Sequence, residues 1–168
     1  TDRETWLKYV TPEKFVVVVG KSVKLKTWDE TVEYQQGSRI PLTSVDDKAY
    51  VLNVAGRGKD GNLDKVKVKV AKNAALNEGY LPYTSNNILR SAFKFYGEPY
   101  GWGGLKNSVD CSSLMYNAYR TVGIYLPRNA DEQEASAGMH IDFNKMDDAT
   151  KLTTIQGLTP GTGLYMDN

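Results

Sequence analysis

The chain has 168 residues and a mass of 18.7 kDa, which allows one ordinary domain or two small ones. Hydrophobic residues make up 40% and charged residues 24%, so a packed core is expected and general disorder is not. Lys and Arg total 21 and Asp and Glu total 20, and this balance gives no electrostatic reason to expect nucleic acid or an acidic membrane as the partner. No run approaches the roughly 18 apolar residues of a membrane span.

The chain contains one cysteine and one histidine. A single cysteine excludes an internal disulfide framework and a multi-cysteine zinc site, and a single histidine excludes a zinc site built on several imidazoles. The chain begins at Thr1, and we expect no signal peptide because no basic segment with an apolar stretch precedes the first strand-like run.

The first seventy or so residues have the pattern of short β-strands. Strand-like runs are predicted at 15–19, 22–26, 49–54 and 64–70. The last run alternates valine with lysine, which predicts that its valines face a core and its lysines face water. Gly and Asn in residues 56–62 are typical of a turn. Several short strands at this spacing indicate a small barrel.

A helical pattern replaces the strand pattern near Asn73. Ser85 is predicted to cap a helix that runs to about residue 96. The apolar residues expected on the buried face of this helix are Ile88, Leu89, Ala92, Phe93 and Tyr96.

A second helix is predicted from Cys111 to about Val122, where Gly123 would end it. The polar segment 130–151 receives no assignment, residues 158–161 predict a turn, and residues 164–166 predict the start of a strand.

Two motifs favour ordinary structural roles. Gly20-Lys21-Ser22 follows an apolar strand, but a phosphate-binding loop would need a glycine where Phe15 stands, so a β-turn is favoured. The lysines of residues 65–69 could contact an anionic polymer, although a solvated strand face that discourages edge pairing is the favoured interpretation.

Cys111 is the sharpest candidate for chemistry. A lone cysteine is more often a small buried hydrophobic residue. Cys111, however, follows a glycine-rich loop and Asp110 and is expected to open a helix. Unpaired N–H groups and the helix dipole favour negative charge at that end, which stabilises the thiolate that a nucleophile requires. His140 lies 29 residues further on (140 − 111), and spacing alone leaves open whether it is a partner base or an exposed loop residue.

Three segments in fixed order carry a resemblance to a known family. They read GEPYGWGG at 97–104, VDCSS at 109–113 and LPRNADEQ at 126–133. Together they resemble the NlpC-type papain-like cysteine peptidases of bacterial cell walls, and residues 1–76 resemble the bacterial SH3-like domains that precede such peptidases. The resemblance therefore implies an α+β protein with two parts, an SH3-like β-barrel at 1–76 and a papain-like catalytic domain at 77–168.

The resemblance also implies an activity and the residues that perform it. Members cleave peptidoglycan stem peptides between γ-D-glutamate and a diamino acid, and they need no metal or organic cofactor. Cys111 would be the nucleophile, Tyr100 would line the site, and Asp110 and Ser112 would hold the free amine of the terminal L-alanine. Arg128 and Gln133 match the segment after the helix and are interpreted as structural or rim residues.

The chain departs from the family pattern near its end. The family's histidine begins a strand shortly after a Pro-Gly-Asp-Leu-type turn, which here corresponds to Pro160-Gly161-Thr162-Gly163. That strand would begin beyond Asn168, so the expectation is an incomplete catalytic domain that needs its remaining C-terminal segment. Ala130 also stands where many members have serine.

Two other functions stay open at this point. One is a catalytically inactive module that binds wall peptides, and the other is a cysteine amidase or acyltransferase on the same fold. The expected partner is a stem peptide or muropeptide, and the expected location is extracellular or at the cell wall, with the periplasm or cytoplasmic muropeptide recycling as alternatives.

Overall fold

The computed structural model describes residues 1–28, 30–73, 75–136 and 138–166, with no account of the side chains of 105–107. Seven strands are present in these ranges: β1 (Phe15–Val18), β2 (Ser22–Lys26), β3 (Thr31–Gln35), β4 (Arg39–Val45), β5 (Ala49–Arg57), β6 (Leu63–Ala71) and β7 (Leu76–Glu78). The α-helices described are α1 (Arg3–Val10), α2 (Ser85–Ala92), α3 (Cys111–Arg120), α4 (Ala130–Ser136) and α5 (Asp148–Gln156). Short 3₁₀ segments lie at Phe93–Phe95 and Trp102–Asn107.

The strands form two antiparallel sheets. Five of them follow the order β6-β5-β4-β1-β7, and β2 pairs with β3 in a separate hairpin. The α+β class predicted from the sequence is therefore confirmed, and the SH3-like barrel stays a prediction. The proposed boundary between residues 76 and 77 falls inside β7, whose Leu76 and Asn77 pair with β1.

The core of the β-rich half consists mainly of β-branched and other aliphatic side chains. The buried cluster comprises Val16, Val18, Leu25, Ile40, Tyr50, Leu52, Val54 and Leu76. On β6, Val68 and Val70 pack against this cluster and the intervening lysines are exposed, as the alternating pattern predicted. The turn at 58–62 is confirmed, although β5 extends to Arg57 and so includes Gly56.

A short helix precedes the sheet and was not expected in the strand-like half. Asp2 caps α1 by accepting a hydrogen bond from the backbone N–H of Thr5 at 2.8 Å. Tyr9, near its C-terminal end, is buried and donates its hydroxyl hydrogen to the carbonyl oxygen of Asn53 at 3.1 Å. Tyr9 thus anchors the helix to the sheet.

The second half is built around α2 and α3. Ile88 of α2 and Ala118 of α3 form its buried cluster with Val122, and Gly123 at φ +86° follows the helix as predicted. Thr84, not Ser85, caps α2, because the side chain of Thr84 accepts the N–H of Asn87 at 3.2 Å.

The predicted buried face of α2 is correct at Ile88 but wrong at Leu89, which is 39% exposed, and wrong beyond Ala92. The chain turns into a 3₁₀ segment at Phe93, so Phe95 becomes the buried aromatic residue, with 6% of its surface exposed. Phe93 and Tyr96 are instead 66% and 84% exposed, and their rings stack on each other. The predicted strand at 164–166 is also absent, because these residues have no regular secondary structure.

The two halves contact each other through α2 and α3. Gln36 is fully buried and donates its side-chain N–H to the carbonyl oxygen of Ser91 at 2.9 Å. Gly37, at φ +79°, approaches α3 so closely that an added Cβ would lie 2.5 Å from the Cβ of Arg120. Lys21 forms an ion pair with Glu98. The sheet therefore supports the helix that carries Cys111.

Candidate active site

The start of α3 positions Cys111. Asp110 adopts an extended backbone and accepts the N–H of Ser113 at 2.8 Å, while the Ser113 hydroxyl accepts the N–H of Asp110 at 2.8 Å. This reciprocal capping box fixes the first turn, so Cys111 is the first helical residue, as predicted. The thiol is free and exposed. At this end of the helix, unpaired N–H groups and the dipole favour an anion.

Cys111 lines a groove of about 410 Å³. Tyr100 and Asp110 line the same groove, so three of the four predicted site residues converge there. The rest of the lining is mostly apolar and comes from the end of α2, the 3₁₀ segment at Phe93–Phe95, the loop residues around them and α3; its members are Ala92, Phe93, Phe95, Tyr96, Glu98, Pro99, Val109 and Leu114. An extended chain that lies in this groove would pass the sulfur atom.

The Tyr100 side chain reaches the nucleophile candidate across the glycine-rich loop. The loop is anchored by a bridge between Tyr100 and Val109 and by the N–H of Gly101, which donates to the Val109 carbonyl at 3.1 Å. The pKa of Tyr100 is raised, first by desolvation of its hydroxyl and then by its hydrogen bond to the Cys111 side chain. The phenol is therefore protonated at neutral pH and available as a donor beside the sulfur.

Asp110 joins three parts of the site. Its Oδ2 accepts the N–H of Gly103 at 3.0 Å and Nη2 of Arg128 at 2.6 Å, and its Oδ1 accepts Nη1 of Arg128 at 3.2 Å. Burial would raise the pKa of Asp110, but the hydrogen bonds from Arg128, from Ser113 and from Gly103 outweigh it and hold the pKa well below its usual range. Asp110 is thus an ionised, already paired carboxylate.

Ser112 is buried beneath the groove and is not part of its lining. Its hydroxyl donates to Oδ1 of Asp110 at 3.3 Å and accepts Nη1 of Arg128 at 3.0 Å. Its carbonyl oxygen accepts the side-chain N–H of Gln133 at 2.9 Å. Ser112 therefore links the first turn of α3 to the segment 128–133, and its predicted contact with substrate stays a prediction.

Arg128 and Gln133 were interpreted from the sequence as structural or rim residues, and their contacts with the first turn of α3 were missed. Arg128 pairs with Asp110 through both terminal nitrogens. Gln133 is almost fully buried and also donates to the Pro127 carbonyl at 2.8 Å. No local pattern reveals these pairs, because 16 to 21 residues separate the partners.

His140 does not share the groove of Cys111. It lines a separate cavity of about 320 Å³ together with Glu134 of α4, its neighbours in residues 139–143, and the 157–165 segment, and the two cavities have no lining residue in common. Within the described ranges, the structure does not bring His140 and Cys111 together. The same ranges contain no cluster of three or more His, Cys, Asp or Glu side chains arranged to hold a metal ion.

None of the helices in the described part of the chain combines the length and the apolar character that crossing a membrane requires.

Comparison with known proteins places this site in a family. Residues 97–168, which contain Tyr100, Asp110 and Cys111, match the NlpC/P60 family. The chain is 29% identical over 147 residues to the bifunctional muramidase/DL-endopeptidase CwlT of Bacillus subtilis, covering 79% of this chain and 39% of that protein. It is 36% identical over 67 residues to the γ-D-glutamyl-L-lysine dipeptidyl-peptidase of the same organism, covering 39% of this chain and 23% of that protein.

Solved structures agree with this assignment. An NlpC/P60 endopeptidase from Photobacterium damselae subsp. piscicida superposes with a TM-score of 0.63 at 25% identity, covering 78% of this chain and 28% of that one. An NlpC/P60 family protein from Bacillus cereus shares the fold, with a TM-score of 0.63 at 21% identity over 88% of this chain and 48% of that one. The chain thus spans less than half the length of each of these relatives. Its C-terminal part, residues 97–168, is similar to the NlpC/P60 family.

Proposed function

We propose that this chain is part of a cell-wall hydrolase in which Cys111 attacks peptidoglycan stem peptides at the bond between γ-D-glutamate and the diamino acid. The observation that carries the proposal is the placement of an exposed thiol at the capped start of α3, inside a groove that Tyr100 also lines. The family match covers this segment, and one relative is named for a γ-D-glutamyl-L-lysine peptidase activity.

The reaction would be an acyl transfer through the sulfur. A general base takes the thiol proton, and the thiolate of Cys111 forms a bond to the γ-carbonyl carbon of D-glutamate. Backbone N–H groups at the start of α3, including that of Cys111, would stabilise the oxyanion. The C–N bond then breaks, the diamino acid leaves as an amine after taking up a proton, and water hydrolyses the thioester to restore the thiol.

We assign the general base to none of the described residues. His140, the single histidine of the sequence, lines another cavity. By the resemblance, the family's histidine lies on a strand that follows a turn like Pro160-Gly161.

The substrate's free amine would lie near Asp110. Its carboxylate lines the groove and carries a negative charge, so it can attract the ammonium group of a terminal L-alanine. Arg128 already contacts both oxygens of the Asp110 carboxylate. The ammonium group would therefore share this carboxylate with the guanidinium group. Activity on wall fragments would locate the protein at the cell wall or outside the cell.

The experiment compares the product of the complete gene with its Cys111→Ala variant on L-Ala-γ-D-Glu-L-Lys and on the diaminopimelate analogue. We expect release of the L-Ala-γ-D-Glu dipeptide by the parent protein and none by the variant. Turnover retained in the variant would reject Cys111 as the nucleophile. Binding of the tripeptide without cleavage by the parent would indicate the binding module, and transfer of the acyl group to an added amine would indicate the acyltransferase.

A further inference from the structure

The ion pair between Asp110 and Arg128 lies directly beneath the nucleophile candidate. Arg128 contacts the carboxylate through Nη1 and Nη2, at 3.2 and 2.6 Å, which is the two-point geometry that an arginine fork provides and a lysine does not. The Asp110 side chain is only 9% exposed, whereas that of Arg128 is 44% exposed. The partly exposed guanidinium group therefore pairs with a carboxylate that is itself largely buried.

The same guanidinium group also contacts the residue on the other side of Cys111. Nη1 of Arg128 donates to the Ser112 hydroxyl at 3.0 Å, and this hydroxyl donates to Oδ1 of Asp110 at 3.3 Å. The two neighbours of Cys111 in the sequence are thus connected to each other through one side chain. A change at Arg128 would release both of them at once.

Gln133 holds the main chain at the same point. Its side-chain N–H group donates to the carbonyl oxygens of Ser112 and Pro127, at 2.9 and 2.8 Å. The segment that carries Arg128 is therefore fixed to the first turn of α3 by a second, independent set of contacts. This attachment keeps the guanidinium group in place although it is partly exposed.

The pair also reaches Tyr100. Asp110 accepts the N–H of Gly103, which belongs to the loop that carries Tyr100. Tyr100 in turn lines the groove beside Cys111. The positions of the phenol and of the thiol thus both depend on where Arg128 holds the Asp110 carboxylate.

From these contacts, we infer that Arg128 is a positioning residue for the nucleophile: it orients Asp110 and Ser112, and through them the first turn of α3 and the Tyr100 loop, around Cys111. The inference deepens the proposed function and rests on it for its catalytic meaning. Its physical content, that Arg128 sets the reactivity of the thiol, is measurable without hydrolysis.

The test measures the second-order rate of Cys111 alkylation by iodoacetamide in the full chain, with Arg128→Ala, Arg128→Lys and the parent compared at one pH. Loss of the guanidinium leaves the Asp110 carboxylate uncompensated near the sulfur and removes the contact that ties Asp110 to Ser112, so we expect Arg128→Ala to slow alkylation roughly fivefold to tenfold. Arg128→Lys keeps the charge but loses the fork, and we expect it to recover part of the rate. Lys69→Ala, which removes the exposed ion pair with Asp46, is the control and should leave the rate unchanged.

Urea unfolding and circular dichroism of each variant separate positioning from stability. The inference would be overturned if Arg128→Ala and Arg128→Lys are fully folded, though less stable, and their Cys111 is alkylated at a rate within twofold of the parent rate. Should Arg128→Ala not fold, Arg128→Lys still decides, because full retention of the parent rate by that variant contradicts a role for the fork. A second readout is a double-mutant cycle with Asp110→Asn, in which the effects on alkylation should not add.

Hydrolysis by the product of the complete gene distinguishes the inference from the proposed function. A parent protein that cleaves stem peptide while Arg128→Ala leaves both kcat and alkylation unchanged would refute the inference alone. A parent that does not cleave, but whose alkylation depends on Arg128, would refute the proposed function alone. With both intact, Arg128→Ala should lower kcat more than it changes KM.

Discussion

Tyr100 and Cys111 line the same groove, although the two residues belong to different elements and a glycine-rich loop separates them. This placement depends on the bridge between Tyr100 and Val109, which returns the chain to the start of α3. A phenol that remains protonated at neutral pH can donate to a thiolate. This donor and the helix start together provide the chemistry that we assign to the groove.

Tyr100→Phe tests the contribution of that donor. Tyr100 is 61% exposed, so removal of its hydroxyl should change the free energy of unfolding by less than about 0.5 kcal/mol. Loss of one hydrogen bond to a charged sulfur, at about 1.5 kcal/mol, should lower kcat of the complete gene product about tenfold. Steady-state kinetics on the tripeptide check this. An unchanged kcat would show that the hydroxyl has no part in the reaction.

Asp110→Asn tests the proposed anchor for the substrate's amine. Asparagine is also a good helix-capping residue, so the start of α3 should persist while the negative charge is lost. We expect kcat/KM to fall at least fivefold more for a tripeptide with a free N-terminal L-alanine than for its N-acetylated form, consistent with a charge-assisted hydrogen bond. Equal losses on the two peptides would remove the anchoring role and leave Asp110 as a purely positioning residue.

The lowered pKa of Asp110 predicts a specific dependence of stability on pH. Because its pKa is lower in the folded chain than in the unfolded chain, the unfolded state takes up the proton first as the solution is acidified. The stabilisation is present above the ordinary carboxyl value of about 4 and is lost as the pH falls from there toward the folded value. Urea unfolding between pH 7 and pH 2.5 should therefore show a smaller acid-induced loss for Asp110→Asn than for the parent.

Parallel curves for the two proteins would contradict that assignment. Other aspartates of the chain, such as Asp46 and Asp147, also have lowered pKa values, but they remain in both proteins and cancel in the comparison.

Gly37→Ala tests the contact between the sheet and α3. Gly37 has φ +79°, and an added Cβ would lie 2.5 Å from the Cβ of Arg120. Gly61 has nearly the same φ, +78°, but an added Cβ there would meet only a guanidinium nitrogen at 3.9 Å. Gly61→Ala should therefore cost about 1–2 kcal/mol of backbone strain, and Gly37→Ala should cost a further 1–3 kcal/mol from overpacking.

Urea unfolding of both variants measures the difference between them. Equal losses would mean that the sheet and α3 do not press on each other at Gly37. A larger loss in Gly37→Ala, accompanied by slower alkylation of Cys111, would show that the sheet helps to position the nucleophile helix.

The sequence predicted those elements whose signal is local. Alternating valines defined β6, and Asp110 followed by Cys111 and two serines predicted where α3 begins. The helix α1 was missed because it is only eight residues long, too short for its apolar spacing to stand out as a helical period. The burial of Phe95 in place of Phe93 depends on a change to 3₁₀ geometry that periodicity does not reveal.

The candidate site was predicted in part for the same reason. Tyr100, Asp110 and Cys111 stand close together in the sequence, within a glycine-rich loop and a helix start, and they do meet in one groove. The role of Arg128 depends on a tertiary contact across 18 residues, and its charge alone does not identify its partner. His140 lines a different cavity, and 29 residues of spacing (140 − 111) carried no information on that point.

The most direct measurement of the central claim uses an electrophile attached to the substrate. A chloromethyl ketone built on L-Ala-γ-D-Glu would be compared with chloroacetamide, and the modified residue identified by mass spectrometry of the chain, whose single cysteine makes the assignment unambiguous. For each reagent, the rate of Cys111 modification is divided by the rate with free cysteine. We predict that this ratio is at least tenfold larger for the peptide reagent than for chloroacetamide. We also predict that added L-Ala-γ-D-Glu slows modification by the peptide reagent. Equal relative rates for the two reagents, without protection by the dipeptide, would contradict the claim that this groove brings stem peptides to a nucleophilic Cys111.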